Sequence, residues 1–394
     1  MLFEEARRRL QQFLFPLTVE QFLDQTLVGG FRHIVAPPES GKTELLGADP
    51  QGRLLEAFHL APKLTFHSAN PLGPPPSLQS ALDPADFRQL IEQFHSRQFS
   101  VRFPELRTVS PALDRLARAL EILLHQPVTM SAFWSRSGMR APVHFDDHDL
   151  IVVQLRGTKR WYVSNDPAGL NNAWQAIPGD PPKLSAHTIL DLVPGDLLYL
   201  PRGTLHTVDS EAESVHLSIG FTPLTVRDAL IAAIDHASDL DRALRMTLGG
   251  SLTLQLLNSR FERLQPAVMD GVARLVSALR TPGFLGAALQ RRSAKAVAAL
   301  PPLPRPNPAP QVQLDTVLIR AETAFCHLTA SPQTIDVAFP GGHVYLHRGA
   351  EESLVYMVNT SRFRVRDVPG AIDDEVRLSL ANRLVELGFL LPAQ

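Results

Sequence analysis

Disulfide crosslinks are excluded by composition, because the 394-residue sequence has a single cysteine, Cys326. The chain is therefore not one of the small disulfide-stabilised secreted domains, and a reducing cytoplasm is the location that this composition favours. Long hydrophobic runs are lacking as well, since no apolar stretch approaches the roughly 20 residues of a membrane-spanning helix. The first seventeen residues contain Glu4 and Glu5 and lack the apolar core of a signal peptide, so they indicate an amphipathic helix.

The sequence also lacks a large excess of basic or of acidic residues. Lysine and arginine together number 38 against 40 aspartates and glutamates, for a formal net charge of −2. Such a chain has no overall field that would draw it to nucleic acid or to a membrane surface. What is present, 44% hydrophobic and 20% charged residues, is typical of a soluble globular protein, and the length is enough for two or three domains.

The spacing of apolar residues divides the first half of the chain into a helical part and a part made of strands. Residues 83–96 and 110–125 have apolar side chains spaced by three and four, with Asp83 and Ser110 as N-caps, which predicts two amphipathic helices. Between residues 127 and 221 the pattern changes to short runs of β-branched, aromatic and aliphatic residues separated by turns. Several short strands at close spacing predict an antiparallel barrel or sandwich.

The second half is predicted to be helical and then mixed. Thr225 and Asp228 form a capping-box pattern, and apolar residues at helical spacing follow it. The proline-rich run 301–311 cannot form a helix or a central strand, so it predicts a semi-rigid linker and the clearest domain boundary. Residues 312–394 are expected to form a small α+β unit that ends in a helix. The apolar positions of the helical segment are Leu230, Ile234, Leu240, Leu244, Leu256, Leu264, Val268 and Leu275.

Three residues have the types and spacing of a metal site. His144 and Asp146 are two positions apart, and residues i and i+2 of an extended strand point to the same face, so an imidazole and a carboxylate can converge on one ion. The best candidate for a third ligand is His206, which follows an apolar strand and a Pro-Arg-Gly turn. Two histidines and one carboxylate on one face of an ion leave three positions open, as in the facial triad of non-haem Fe(II) oxygenases.

Other polar residues beside this motif are rival ligands. Asp147 alternates to the opposite strand face from Asp146, which disfavours it. His148 shares the face of His144 but lies farther along the strand, where it is expected to line a cleft. His216 is expected to be an inward-facing strand residue, either a satisfied core histidine or a neighbour of the site.

The order of motifs is more specific than any single residue. His144-x-Asp146 precedes a strand rich in Ile and Val, the run Q-L-x-G-x-K-R-W at 154–161, and P-G-D-x-L-Y-x-P-x-G-x-x-H ending at His206. On these motifs, residues 127–221 resemble the JmjC and cupin-4 oxygenases, and most closely the ribosomal-oxygenase branch, whose members hydroxylate ribosomal proteins. The resemblance implies a double-stranded β-helix, the JmjC or cupin barrel, that binds Fe(II) through His144, Asp146 and His206 and uses 2-oxoglutarate and O₂.

The resemblance also implies a cosubstrate pocket. Lys159, fifteen residues after the first histidine, would pair with the distal carboxylate of 2-oxoglutarate, and alternation places Lys159 and Trp161 on one inward strand face. The alternative for Lys159 is a surface position in a hairpin turn. Ser135, nine residues before that histidine, would help hold the cosubstrate, although it is equally plausible as an ordinary strand residue. Some relatives have a threonine three residues before the first histidine, and Ala141 stands there in this chain, so that contact is absent.

The expected fold class is an α+β multidomain chain. The resemblance divides it into a JmjC oxygenase domain with N-terminal helices at 1–224, a helical dimerisation region at 225–300, a proline-rich linker at 301–311 and a winged-helix-like domain at 312–394. We expect a homodimer through the helical region, with the last domain beside the mouth of the active site. The last domain has seven arginines and no lysine against ten acidic residues, so a protein contact is expected there rather than DNA binding.

The function that the resemblance implies is hydroxylation of a protein or peptide side chain, coupled to decarboxylation of 2-oxoglutarate to succinate and CO₂. Two alternatives stay open, a 2-oxoglutarate oxygenase that acts on a small molecule and a metal cupin or binding scaffold without oxygenase activity. The additional domains argue against a small-molecule substrate, which needs no such platform. Lys159 argues against a cupin without oxygenase activity, which would not need a partner for 2-oxoglutarate. The segment APPESGKT at 36–43 fits a loose phosphate-loop pattern, but its two prolines remove amide donors and Ala36 replaces the first glycine, so we expect a turn there.

Overall fold

The computed structural model divides the chain into two compact units, Met1–Pro223 and Leu224–Gln394. The first unit ends one residue before position 224, where the sequence places the end of the barrel domain. The residues that the structure describes are 3–28, 30–37, 40–78, 83–168, 183–247, 264–308 and 310–393.

The N-terminal part of the first unit is largely helical. Both helices predicted from caps and periodicity are confirmed, because the side chain of Asp83 accepts a hydrogen bond from the backbone N–H of Asp86 at 2.8 Å and Ser110 caps the later helix through the N–H of Leu113. The apolar faces of these two helices lie in one core with the outer face of a β-sheet. The helices are α1 (Phe3–Leu14), α2 (Val19–Val28), α3 (Pro50–Glu56), α4 (Pro84–Ser96) and α5 (Pro111–Leu124).

Two antiparallel sheets form the rest of this unit, as the turn-separated strand pattern predicts. The larger sheet has the strand order β1–β9–β6–β11–β4–β3–β2, and the smaller has the order β5–β10–β7–β8. The strands of the larger sheet are β1 (Arg32–Ile34), β2 (Thr65–His67), β3 (Ser100–Phe103), β4 (Thr129–Ser135), β6 (Asp149–Arg156), β9 (Leu197–Leu200) and β11 (Ser214–Phe221). Those of the smaller sheet are β5 (Met139–Arg140), β7 (Lys159–Ser164), β8 (His187–Leu192) and β10 (His206–Ser210).

The two faces of the larger sheet differ in chemistry. Val101, Phe103 and Trp134 belong to the core that it shares with the helices. Ser135, next in sequence to Trp134, accepts a hydrogen bond from Lys159 of the smaller sheet, so its face points into the barrel. Strand alternation thus directs apolar side chains of this sheet toward the helices and Ser135 toward the barrel interior, where a smaller apolar cluster includes Val152, Trp161 and Val163.

The turn between β6 and β7 fixes the position of Lys159. Gly157 has φ +64°, and a Cβ there would lie 2.1 Å from the carbonyl oxygen of Glu213. A residue with a side chain would have to displace that backbone, so the tight turn requires glycine. Lys159, two residues later, is 1% exposed, which confirms that it faces inward rather than out of the hairpin.

The second unit joins helices to two three-stranded sheets, of order β16–β12–β17 and β13–β14–β15. Thr225 and Asp228 form the predicted capping box at its start. Its helices are α6 (Val226–Leu240), α7 (Gln265–Leu279), α8 (Phe284–Ala298), α9 (Glu351–Asn359) and α10 (Asp374–Glu386). Its strands are β12 (Val317–Arg320), β13 (His327–Ala330), β14 (Thr334–Phe339), β15 (Gly342–His347), β16 (Arg362–Arg364) and β17 (Leu390–Pro392).

The proline-rich segment lies inside this second unit. Its Leu303 is 2% exposed and packs in one apolar cluster with Leu318 and Leu384. Helix α8, which precedes the segment, packs against β13 and β14, which follow it. The compact units therefore divide at residue 223 rather than at the prolines, because buried contacts extend across the proline-rich segment.

Several predicted apolar positions of the helical segment face solvent. Leu230, Leu240 and Val268 are 49%, 70% and 53% exposed, and Ile234 is 36% exposed. Leu256 lies outside the described residues. Within the part of the chain that the structure describes, no helix is both long enough and apolar enough to span a membrane.

Candidate metal centre

His144 and His206 come together across the smaller sheet. His144 lies in the segment between β5 and β6 and forms an isolated bridge with His206, the first residue of β10. Each backbone N–H donates to the other residue's carbonyl, at 3.0 and 2.8 Å. The expectation that His144 and Asp146 share a regular strand is wrong, since β6 begins only at Asp149, and this single bridge orients the pair instead.

The three predicted ligands converge. One ligand atom from each of His144, Asp146 and His206 lies within 4.8 Å of the others. His206 Nε2 is 3.5 Å from Asp146 Oδ2, and the two imidazole centroids are 4.4 Å apart. Two nitrogens and one carboxylate oxygen at this spacing form a donor set suited to a divalent transition metal with open positions.

Backbone carbonyls set the tautomers of both histidines. Nδ1 of His144 lies 2.8 Å from the carbonyl oxygen of Pro142, and Nδ1 of His206 lies 2.9 Å from that of Thr204. A carbonyl can only accept a hydrogen bond, so each Nδ1 carries the proton and each Nε2 keeps a lone pair, that of His206 next to Asp146. Burial, followed by the neighbouring His144, lowers the pKa of His206 to about 4, so its ring is neutral and able to ligate at neutral pH.

The turn before His206 is held by a buried carboxylate that sequence reasoning missed. Asp149 is 3% exposed, accepts a 2.5 Å hydrogen bond from the hydroxyl of Tyr199 and accepts another from the backbone N–H of Arg202 at 3.2 Å. Gly203 N–H donates to the carbonyl oxygen of Asp146 at 2.8 Å. The signal available in the sequence was an acidic residue immediately before the apolar run 150–153.

Lys159 is a buried lysine in the interior of the barrel. Its Nζ donates to Ser135 Oγ at 2.8 Å, and Ser135 Oγ is 2.6 Å from Ser100 Oγ. Burial lowers the pKa of Lys159 to about 7. Within the described residues no carboxylate forms an ion pair with this lysine. The structure thus brings Lys159 and Ser135 together as the resemblance implies, and adds Ser100, which the sequence analysis did not single out.

Imidazole and aromatic rings fill the space between the lysine and the three ligands. His216 stacks on Phe133 with centroids 4.9 Å apart, and Trp161 stacks on His206 at 5.6 Å. Burial, with Lys159 and other histidines nearby, holds the pKa of His216 well below its usual value. The buried Nε1 of Trp161 and Nδ1 of His216 have no hydrogen-bond partner within the described chain. Unpaired buried polar atoms of this kind fit a polar molecule bound between them.

A cavity of about 520 Å³ opens beside the three ligands. Asp147 and His148 line it and pair with each other, with 2.5 Å between Oδ1 and Nδ1, and neither belongs to the converging group. The cavity walls also include His67, whose pKa is lowered to about 3 by burial and then by Lys159 and His144. Its volume is in the range of small-ligand sites.

The described part of the loose phosphate-loop pattern lacks the features of a phosphate loop. Lys42 is 2% exposed and its Nζ donates to the carbonyl oxygen of Phe15 at 2.8 Å. A short 3₁₀ turn, Lys42–Leu46, follows rather than an α-helix. Residues 38 and 39 of the pattern lie outside the described residues. The expected turn is therefore consistent with the described part, and the lysine has a structural contact.

Comparison with known proteins finds a family that matches part of the chain. Residues 105–229 match the family described as JmjC domain. Ribosomal oxygenase 2 from Rattus norvegicus is 32% identical over 139 residues, which are 34% of this chain and 30% of that protein. The bifunctional lysine-specific demethylase and histidyl-hydroxylase NO66 from Drosophila pseudoobscura pseudoobscura is 28% identical over 229 residues, 55% of this chain and 23% of that protein. The chain thus spans less than half the length of these curated relatives.

Solved structures share the fold over nearly the whole chain. The X-ray structure of ycfD from E. coli has a TM-score of 0.54 at 16% identity, covering 96% of this chain and 98% of that one. YcfD, described as a ribosomal oxygenase, has also been solved in complex with cobalt and 2-oxoglutarate, at a TM-score of 0.50, 15% identity and coverage of 96% of this chain and 99% of that one. At this identity the likeness establishes the architecture alone.

Proposed function

Because this chain contains a JmjC domain of the kind found in the ribosomal oxygenases, we propose that it is a non-haem Fe(II)- and 2-oxoglutarate-dependent dioxygenase. Its substrate is a protein or peptide side chain, with ribosomal proteins as the first candidates. The observation that carries the proposal is the convergence of His144, Asp146 and His206 within 4.8 Å, with both Nδ1 protons directed at carbonyls. Such a donor set fits Fe(II) with three positions left for cosubstrate and O₂.

The cosubstrate pocket supports 2-oxoglutarate. Lys159 would bind its distal carboxylate, with Ser135 as a hydrogen-bond partner of both, because this buried cation has no ion pair within the described residues. Trp161 Nε1–H can donate a hydrogen bond to the rest of the molecule, and His216 Nδ1 can donate or accept one according to its tautomer. Bound Fe(II) would supply O₂ activation coupled to decarboxylation of 2-oxoglutarate to succinate and CO₂.

The chain's own residues contribute geometry and exclusion of water. Proton placement on the two Nδ1 atoms keeps both Nε2 atoms available, and the Asp149–Tyr199 pair holds the turn that presents His206. Burial of Lys159 strengthens its attraction for an entering carboxylate, since the effective dielectric inside the barrel is lower than that of water.

The same proposal includes assembly and location. Exposed apolar side chains on α6 and α7 support a homodimer through 225–300. We further propose that 312–394 is a winged-helix-like module, and its acidic balance supports a contact with protein rather than DNA. The single cysteine supports a cytoplasmic location.

The deciding experiment is spectroscopic and chemical. Metal-stripped protein reconstituted anaerobically with Fe(II) and 2-oxoglutarate should develop the metal-to-ligand charge-transfer band of this enzyme class, and in air should release succinate. His144→Ala, Asp146→Ala and His206→Ala should each abolish both signals while circular dichroism is unchanged. Asp147→Ala and His148→Ala are matched controls from the same segment and should retain most of the turnover. A triad variant with full activity would remove that residue from the metal site.

A further inference from the structure

Arg102 of β3 lines the cavity beside the three ligands. Its position follows from register, because Arg102 lies opposite Phe133 of β4, and Phe133 stacks on His216 inside the barrel. Ser100, two residues earlier on the same face, is 2.6 Å from Ser135 Oγ. Directly opposed residues of an antiparallel pair project to the same side, so the guanidinium of Arg102 belongs to the barrel interior.

No acidic side chain among the described residues neutralises the charge of Arg102. Among the described residues no carboxylate pairs with it, although most arginines of the barrel have such partners. The two acidic residues of the cavity are otherwise engaged, since Asp146 is one of the three converging ligands and Asp147 pairs with His148. A partly buried guanidinium without a counter-ion is available to pair with an anionic group that enters the cavity, and partial removal from water strengthens such a pair.

Uncharged oxygen groups complete this wall. Ser131 and Ser218 lie directly opposite each other on β4 and β11 and both line the cavity. Thr129 and Gly220 also line the cavity, and a Cβ at Gly220 would lie only 2.7 Å from Thr129 Oγ1, so the glycine leaves room for that hydroxyl. Hydroxyls and a guanidinium together favour a group rich in hydrogen-bond acceptors over an ammonium or a second guanidinium.

Arg102 and Lys159 serve different parts of the barrel. Lys159 contacts the Ser135–Ser100 pair, whereas Arg102 is two residues beyond Ser100 toward the cavity, about 7 Å along the strand. If the proposed function holds, 2-oxoglutarate accounts for the charge of Lys159, and the charge of Arg102 is left for the substrate.

We propose that Arg102 binds a carboxylate of the polypeptide substrate, so that the substrate has an aspartate or glutamate at or next to the residue that is oxidised. This inference rests on the proposed function for the oxidation but on the cavity alone for the binding. Arg102 is thus a specificity-determining residue, and it disfavours a lysine or arginine at the same place through like-charge repulsion.

The test uses three synthetic peptide libraries with uncharged random flanks and a central Asp, His or Lys. Binding to the full chain is measured by fluorescence anisotropy, and oxidation in the presence of Fe(II) and 2-oxoglutarate by a 16 Da mass increase. We expect the Asp library to bind at least about 10-fold more tightly than the Lys library, the scale of one charge-assisted contact. Arg102→Met should remove this difference, and Arg102→Lys should restore part of it.

Arg140→Met is the matched control, because Arg140 is an arginine of the barrel that pairs with Asp209 and does not line the cavity. It should leave the preference unchanged. A wild-type preference for the Lys library, or an Asp preference that persists in Arg102→Met, overturns the proposal. So does a rise in the KM for 2-oxoglutarate in Arg102→Met without a change in peptide preference, because Arg102 would then serve the cosubstrate. Failure of the proposed oxygenase function would be distinguishable from failure of this inference. The chain would then release no succinate, but it would still bind the Asp library more tightly than the Lys library.

Discussion

The ammonium group of Lys159 donates a 2.8 Å hydrogen bond to the hydroxyl of Ser135 in the interior of the barrel, where the lysine is 1% exposed. A neutral hydroxyl does not compensate a buried positive charge as a carboxylate does, and burial accordingly lowers the pKa of this lysine to about 7. A bound anion would therefore compensate the charge of Lys159 better than the hydroxyl does, and two predictions depend on this relationship.

Lys159→Ala should raise the KM for 2-oxoglutarate far more than it weakens iron binding. Removing one member of a desolvated charge pair costs about 2–5 kcal/mol, and the effect should fall on cosubstrate binding. Lys159→Arg should retain part of the affinity, because a cation remains with altered reach. Steady-state kinetics with varied 2-oxoglutarate provide the measurement. The control is Lys63→Ala, an exposed lysine paired with Glu105, and an unchanged 2-oxoglutarate dependence in Lys159→Ala would place this lysine outside the pocket.

Lys159→Met should make the metal-free, 2-oxoglutarate-free protein more stable, by about 1–4 kcal/mol, because an apolar side chain replaces a buried amine. The folded-state pKa of about 7 lies below the usual 10.5, so between these values the unfolded chain binds more protons, and wild-type stability rises with pH. The advantage of the variant should be fully present at pH 7 and below and should vanish near pH 10.5. Urea unfolding at several pH values tests this, and an advantage independent of pH would show that the amine is not its cause.

The sequence was sufficient to identify the three candidate metal ligands and Lys159, but not the residues that surround them. His144, Asp146 and His206 were identifiable together because a long ordered pattern surrounds them, and Lys159 because strand alternation gives its face. Ser100 and Arg102 were not identifiable, since their position beside Ser135 and Phe133 depends on the pairing of β3 with β4, and strand register is a tertiary property. The failure of the regular-strand expectation for Asp146 has the same origin.

A further prediction concerns the turn that positions His206. Tyr199 and Asp149 hold the turn before this histidine, so Asp149→Ala should lower metal affinity by about 10- to 100-fold, and Tyr199→Phe should have a smaller effect in the same direction. Titration of the metal-free protein with Co(II), followed by its visible absorption, measures the affinity. Tyr162→Phe is the control, since Tyr162 lies on β7 and its ring contacts that of His187 edge-on. Equal Co(II) affinity in wild type and Asp149→Ala would assign this carboxylate to folding alone.

The final prediction concerns self-association through α6 and α7. Val268, Met269 and Val272 of α7 are 53%, 58% and 47% exposed, and Leu230 of α6 is 49% exposed. Apolar side chains clustered on helices of one segment favour burial against a partner, and two copies of the same segment provide an isologous one.

Light scattering at low micromolar concentration should therefore give twice the 43.4 kDa mass of the chain. The double variant Val268→Glu with Val272→Glu should give the monomer mass, because a dimer interface would bury four carboxylates without partners. Val376→Glu, on α10 of the same unit and 40% exposed, is the matched control and should leave the dimer intact. A mass of one chain at every concentration tested would exclude the dimer, and a double variant that stays dimeric would place the interface elsewhere.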